Sequence, residues 1–253
     1  MPEPSSTGVG TVEIIAHRGY SAVAPENTLA AIAVAIAAGA DAVEFDVHVT
    51  RDGVPVLFHD GTLDRTTDGC GPLSARSYEE LLELDAGSWF GAAFAGEPVP
   101  SLEDVLARLA GRPGRVYPEV KGYRRARDLH HMVDLARQRG VEDRTVFISM
   151  DWQALEHMRE HDAGVRIGYI VEEPGRADEA LARATGDPRA LLDFKAAILL
   201  ADPALARRAQ EVGVDLAVWT VDDPRQAVAL LALGVRRITS NRVAELLAWK
   251  AKL

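Results

Sequence analysis

The stretch GADAVEFDVH, residues 39–48, decides the fold. Gly39 ends an alanine-rich helix read over 26–38, because glycine takes the left-handed conformation that closes helices at no Cβ cost. Residues 42–48 then alternate with period two. Val43, Phe45 and Val47 face one side, while Glu44, Asp46 and His48 face the other. A strand starting two or three residues after a helix is the recurring unit of an α/β protein.

The same rhythm continues in both directions. Strands are read at 12–16, 42–48, 115–120, 144–149, 165–170, 195–200, 214–219 and 235–239. Helices are read near 26–38, 101–110, 125–139, 151–162, 176–185, 203–212, 223–233 and 241–251. Gly39, Gly111, Gly140, Gly164, Gly213 and Gly234 stand where left-handed caps are needed. Asp202-Pro203 and Asp223-Pro224 put a capping carboxylate before a first-turn proline. Ser101 and Asp104 form a capping-box pattern with Asp in place of Glu, and Asn27 is read as the cap of the first helix and as a residue that fixes the His17 loop.

Eight strands, each followed by a helix, predict an α/β chain folded as a (β/α)8 TIM barrel. An open doubly wound sheet is the competing arrangement. No G-x-G-x-x-G or Walker-type loop follows a strand, which removes support from its nucleotide-binding versions. A flexible tail over 1–10 is expected to precede one barrel domain over 11–253. The second strand is followed by a hairpin and loop insertion, about 49–100. It opens on Thr50-Arg51-Asp52-Gly53 and a short strand from Val54 to Phe58. With the turn centred on Arg51-Asp52, His59 falls opposite Glu44, give or take one residue. Loops after barrel strands lie on the face that carries active sites, so the insertion, with Trp89, Phe90 and Phe94, is a candidate cap.

The net charge of −10 argues against nucleic-acid and anionic-membrane partners. A phosphate-bearing small molecule needs only one local cationic cluster. Of the 28 basic residues, 24 are Arg, so Lys121, away from the C-terminus, draws notice. The single cysteine, Cys70, excludes an intramolecular disulfide and fits a reducing compartment. No apolar run is long enough to span a bilayer, and residues 1–10 lack the pattern of a signal peptide. A cytoplasmic protein without stable membrane insertion is expected. Its oligomeric state is left open.

Barrel interiors are normally filled by branched apolar side chains. Glu44 and Asp46 on that side repel each other and are costly to bury without a cation. Neighbouring arginines can supply the positive charge, and so can a divalent metal, for which paired carboxylates are hard oxygen ligands. Glu119 and Lys121 end the next barrel strand, and His17 and Arg18 end the first. The set His17, Arg18, Glu44, Asp46, His59, Glu119 and Lys121 thus converges on one rim. Carboxylates suit a hard cation, Arg and Lys suit phosphate oxygens, and two histidines can exchange protons. That combination describes metal-assisted phosphodiester cleavage. Trp219 is a candidate pocket residue, together with Trp89 and Phe90. His157 and His161 share a helix face but lack the glutamate of a metalloprotease helix.

The chain resembles the glycerophosphodiester phosphodiesterase family over nearly its whole length. The resemblance rests on H-R-G (17–19), P-E-N-T (25–28), G-A-D-A-V-E-F-D-V (39–47) and T-R-D-G-V-P-V-L-F-H-D (50–60). It continues through L-D-R-T-T-D-G (63–69), P-S-L (100–102), E-V-K (119–121) and W-T-V (219–221). It implies a TIM barrel hydrolysing glycerophosphodiesters to glycerol phosphate and an alcohol. By the same resemblance His17 and His59 are the acid/base pair, and Arg18 and Lys121 bind phosphate. Glu44, Asp46 and Glu119 hold one divalent ion, Ca2+, Mg2+ or Mn2+. Ser149-Met150-Asp151 departs from an S-F-D-like segment, and Thr239-Ser240-Asn241-Arg242 from a T-D-x-P-like end. Both departures are expected to lie outside the chemical centre. Two alternatives use the same scaffold: a phospholipase D-like hydrolase of lysophospholipids, and a catalytically inactive binding barrel.

Overall fold

A computed structural model describes residues 11–253; the expected tail, 1–10, lies outside the described residues. The barrel strands are β1 (Glu13–Ala16), β2 (Ala42–Val49), β4 (Arg115–Val120), β5 (Val146–Ser149), β6 (Arg166–Val171), β7 (Ala190–Lys195), β8 (Asp215–Trp219) and β9 (Arg237–Ser240). They are parallel, in the order β1-β9-β8-β7-β6-β5-β4-β2, and β1–β2 pairing closes the ring. This is the expected TIM barrel. The short β3 (Pro55–Leu57) attaches to β2 antiparallel.

Among the described residues, ten α-helices separate or follow the strands. They are α1 (Leu29–Ala38), α2 (Tyr78–Leu82), α3 (Leu102–Leu109), α4 (Ala126–Gln138), α5 (Trp152–His161), α6 (Ala177–Ala184), α7 (Ala196–Ala201), α8 (Pro203–Glu211), α9 (Pro224–Ala232) and α10 (Val243–Lys250). The main core lies between strands and helices. Phe45, Val116, Leu129 and Leu192 are buried there, as strand alternation dictates. A smaller core fills the barrel itself: Ile15, Tyr117, Ile148, Ile170 and Leu191. Gly168 on β6 belongs to this packing, since a Cβ there would come within 2.7 Å of Ile148 and 2.8 Å of Leu191.

Several local readings need correction. The sixth strand is Ala190–Lys195, whereas 195–200 falls mostly in helix α7. An apolar run cannot itself tell strand from helix, and the alanines and leucines of 196–201 are the best helix formers. Helix α1 is capped by Thr28, whose side chain accepts from Ala31 N–H, which leaves Asn27 another task. Gly164 is not left-handed, because Asp162 Oδ1 accepts its N–H after α5 and closes that end another way. The hairpin register, by contrast, falls within its one-residue margin: Val47 pairs with Leu57 and His48 with Val56, one residue from the centred expectation. The offset follows from a five-residue loop, 50–54, rather than a tight turn, with Thr50 Oγ1 accepting from Val54 N–H at 2.9 Å. The insertion buries its own cluster, including Val56, Phe58, Leu63, Leu73 and Leu81.

Candidate active site

All seven polar residues expected on the rim come together. Three carboxylates form the centre. Glu44 and Asp46 are 3% and 0% exposed on β2, and Glu119 on β4 is 8% exposed. β2–β4 register pairs Asp46 with Glu119, and one oxygen from each of the three acids lies within 4.8 Å of the others.

The first strand reaches this centre through a tight backbone turn. Arg18 and Gly19 take φ of 55° and 77°. Arg18 N–H thereby donates to Glu44 Oε2 at 2.8 Å, and Gly19 N–H to the Glu44 carbonyl at 3.1 Å. A Cβ on Gly19 would sit 2.6 Å from the Ala31 backbone, so H-R-G needs its glycine for space as well as conformation. Asn27 is also left-handed, a state asparagine tolerates. From there its amide clamps Asp46, donating to Oδ2 at 2.8 Å and accepting from the backbone N–H at 3.0 Å.

Positive charge is close but incomplete. Arg18 Nε lies 3.1 Å from Asp46 Oδ2, while Lys121 Nζ lies 2.6 Å from Glu119 Oε1 and 3.4 Å from Asp46 Oδ1. Burial alone would raise the Asp46 carboxyl, but Arg18 and then Lys121 outweigh it and hold the group below its ordinary range. Burial, then Asp46 and Glu119, push Glu44 well above the usual range. Burial and then Asp46 lift Glu119 to about 7 against the pull of Lys121. Two cations do not neutralise three buried acids. Glu44 Oε1 is buried without any hydrogen-bond partner. Oxygen donors at this spacing match a hard cation, whose bonds of about 2.3–2.6 Å place two ligand oxygens up to roughly 5 Å apart. The residues fit one divalent ion.

The histidines flank the acids with different partners. His17 Nδ1 meets Asn241 Oδ1 at 2.7 Å, and its Nε2 lies 3.9 Å from Glu44 Oε2. Burial and then Arg18 lower its pKa, which favours the neutral ring. His59 Nδ1 instead meets Asp60 Oδ1 at 2.5 Å. Arg65 grips Asp60 through Nε at 2.7 Å and reaches Glu26 at 2.8 Å, and Glu26 accepts from Arg18 at 2.8 Å. Hydrogen bonds from Arg65 hold the Asp60 carboxyl far below its ordinary range. This chain of charges ties the insertion to β1. His48 supports the carbonyl of His59 at 3.1 Å.

A cavity of about 370 Å3 opens beside this centre, lined by both histidines, Arg18, Lys121, Glu44 and Glu119. Its far wall is Ile148, Met150, Ile170, Glu172, Asp193, Trp219 and Thr239. Trp219 therefore stands where the sequence suggested. Trp89 and Phe90 do not line this cavity. Trp89 is 42% exposed, its indole N–H donates to the Ala86 carbonyl, and its ring meets Phe90 edge-on at 5.6 Å. These aromatics pack within the insertion. His157 and His161 pair separately with Glu160 and Asp134.

Three features escaped the sequence reading. Asn27 was legible as polar but not as a clamp on Asp46. Asn241, expected outside the centre, touches His17. Asp193 is a buried acid with Oδ1 unpartnered, and burial and then Glu119 push it up to about 8. Its signal is the D between apolar residues in LLDF, which a strand at 195–200 leaves outside the barrel.

A parallel barrel with this rim is equipped as a hydrolase of phosphoric esters, and comparison with known proteins specifies which kind. The model of the glycerophosphoryl diester phosphodiesterase family matches residues 17–245. This chain belongs to that family, and so to the phosphoric diester hydrolases. A glycerophosphodiester phosphodiesterase of Caldanaerobacter subterraneus is 32% identical over 90% of this chain and 93% of its own. The structure of an Oleispira antarctica phosphodiesterase, in complex with the product sn-glycerol-3-phosphate, is 29% identical. It superposes with a TM-score of 0.85 over 94% of this chain and 96% of its own. A glycerophosphodiester phosphodiesterase from Agrobacterium tumefaciens is 30% identical, with a TM-score of 0.80 over 94% of this chain and 100% of its own. Among the described residues no helix is long and apolar enough to cross a membrane.

Proposed function

We propose that this chain hydrolyses glycerophosphodiesters to glycerol 3-phosphate and an alcohol, and that it does so with a divalent metal. The observation that carries the reading is the set of three buried, under-neutralised carboxylates between two histidines and two cations. Glu44, Asp46 and Glu119 would hold Ca2+, Mg2+ or Mn2+. Bound there, the ion supplies positive charge against the phosphoryl group and eases deprotonation of a nearby hydroxyl. Arg18 and Lys121 bind the phosphoryl oxygens and stabilise the charge that develops on them.

His17, neutral and backed by an amide, is the general base. His59, backed by the Asp60 carboxylate, has a counter-ion for its protonated form and is the general acid. His17 takes the proton of the glycerol 2-hydroxyl, whose oxygen attacks phosphorus as the bond to the leaving alcohol breaks. His59 protonates that alcohol. Water then opens the resulting cyclic phosphate with the two roles reversed. The size of the cavity suits a small diester, since ligand pockets of a few hundred Å3 are the usual range. The lone cysteine supports placement in the reducing cytoplasm.

The test is release of glycerol 3-phosphate from glycerophosphocholine with and without a chelator, alongside a lysophospholipid. Chelator-sensitive release from the first, and little from the second, is expected. Undiminished turnover by verified metal-free protein refutes metal dependence. A 2-deoxy analogue cleaved as fast as its parent eliminates the cyclic phosphate.

A further inference from the structure

The hydrogen bonds behind His17 admit a single assignment. Asp222 presents a carboxylate. Burial opposes its charge, but hydrogen bonds from Asn241 and Ser240 hold its pKa below the ordinary value. Its Oδ1 accepts from Ser240 Oγ at 2.9 Å and from the backbone N–H of Asn241 at 2.8 Å. Its Oδ2 lies 2.9 Å from Asn241 Nδ2. An ionised carboxylate only accepts, so the Asn241 atom facing it must be the amino group. The Asn241 oxygen therefore faces the other way, where Ser21 Oγ donates to it at 3.0 Å and His17 Nδ1 stands at 2.7 Å. An amide oxygen also only accepts, so His17 must carry its proton on Nδ1. In the neutral ring the lone pair is then on Nε2, the nitrogen on the side of Glu44.

The supports of this chain belong to the barrel. His17 N–H donates to the Ser240 carbonyl at 3.0 Å, continuing the β1–β9 ladder, and Ala16 pairs with Ser240. Ser240 Oγ accepts in turn from Arg242 N–H at 3.0 Å. Nothing in it rests on the mobile end of a long side chain.

We propose that Asn241, fixed by Asp222, is a positioning residue that holds His17 as the Nδ1–H tautomer with Nε2 free to accept a proton. The proposal rests on the reading of His17 as the base. It gives the serine–asparagine pair at 240–241 a purpose: a neutral amide selects tautomer and ring orientation without bringing a fourth carboxylate beside the three of the centre. His59 uses the opposite device, a carboxylate partner.

The test reads the tautomer directly. Long-range 1H–15N correlation of histidine-labelled, Mg2+-supplemented protein at about pH 8 separates a protonated from an unprotonated ring nitrogen, and His17→Ala identifies the signal. The parent should show Nδ1 protonated and Nε2 bare. Asn241→Leu should move the pattern toward Nε2–H or an average, and lower kcat about 10–10²-fold, with KM within about twofold. Asp222→Asn, which lets the amide turn over, should move the same signals in the same direction should the leucine variant fold poorly. The double exchange Asp222→Asn with Asn241→Asp restores donor facing acceptor at both contacts. It should recover the Nδ1–H pattern but only part of kcat, because a carboxylate then faces His17, whereas Asn241→Asp alone, with two carboxylates face to face, should recover neither. An unchanged tautomer in both Asn241→Leu and Asp222→Asn overturns the proposal whatever the rates. Full activity of His17→Ala refutes instead the base assignment beneath it, a result the nitrogen shifts cannot produce.

Discussion

The two halves of the barrel mouth are built on opposite principles. On β1, β2 and β4 the inward side chains at the rim are charged. They are held from behind by Asn27, Asn241, Arg65 and Glu26. On β5 to β8 they are Ile148, Ile170 and Trp219, with Met150 just past β5, Asp193 the lone buried acid and Glu172, just past β6, an exposed one. Chemistry is thus concentrated on one arc, where carboxylates, cations and histidines crowd together, while the other arc offers mainly shape and apolar surface. Removing one charged group from the first arc should therefore disable catalysis, while changes on the second should alter binding and stability.

The largest effect should come from Glu44→Gln. An amide oxygen is a neutral and weaker ligand, so metal affinity should fall by at least about 10²-fold, and turnover should fall further than in either histidine variant. Calorimetric titration with Mg2+ or Ca2+ and steady-state rates check both. The parent protein should show a linked pH effect. A metal ligand must be deprotonated, and Glu119 keeps its proton up to about 7. Metal binding should release protons near neutrality, and affinity should rise from about pH 6 to about pH 8. Equal binding enthalpies in buffers of different ionisation enthalpy would show that no proton leaves.

Next in size are the histidines. His17→Ala and His59→Ala should each cost about 10²–10⁴ in kcat. The double variant should cost little more than the worse single one, since both serve one proton circuit. Additive losses in a double-mutant cycle would separate them into independent roles.

Asn27→Ala should be milder. It removes both side-chain hydrogen bonds to buried Asp46 and a residue suited to left-handed φ. Loss of partners at a buried carboxylate costs on the order of 1–3 kcal/mol. Denaturant unfolding should show that loss, accompanied by weaker metal binding. Full metal affinity would mean that Arg18 and Lys121 position Asp46 unaided.

The same contrast explains what was legible in the sequence. Glu44, Asp46, Glu119 and Lys121 stand out because strand alternation puts charge where a barrel wants branched apolar residues. His17 and Arg18 lie at a strand end, and the short hairpin carries His59 to the same rim even with its register offset by one. Periodicity speaks only of local geometry, so the supports were hidden. Asn241 lies 224 residues from His17, and only ring closure brings β9 beside β1. Asn27 looked like a helix cap because asparagine does cap helices, and its positive φ is a tertiary fact. On the apolar arc the signal failed for another reason. AAILL after Lys195 is as apolar as a strand, and a strand there leaves Asp193 outside the barrel.

Asp193 is the place where the apolar arc can be tested against the charged one, and its effect on activity should be the smallest. The carboxyl is buried, unpaired at Oδ1, and retains its proton to about 8 in the folded chain. In the unfolded chain an aspartate loses it near 3.9. Between those values the folded state binds more protons than the unfolded one, so stability falls as pH rises across that window. The sign is opposite to that of Asp60 and Asp46, whose depressed values make them stabilising above pH 4 and lost in acid. Asp193→Asn keeps the size and polarity of the group and removes its ionisation. The variant should therefore gain on the parent as pH rises, with a melting-temperature advantage clearly larger near pH 8.5 than near pH 5. Its kcat should stay within about threefold, because Asp193 belongs to the arc that shapes the cavity rather than to the proton circuit, and any change should appear in KM. Melting curves across pH, with kcat and KM measured on the same samples, decide the matter. A pH-independent difference in melting temperature would mean that Asp193 is ionised or partnered in the fold. A collapse of kcat to the level of His17→Ala would extend the catalytic arc across the barrel to β7.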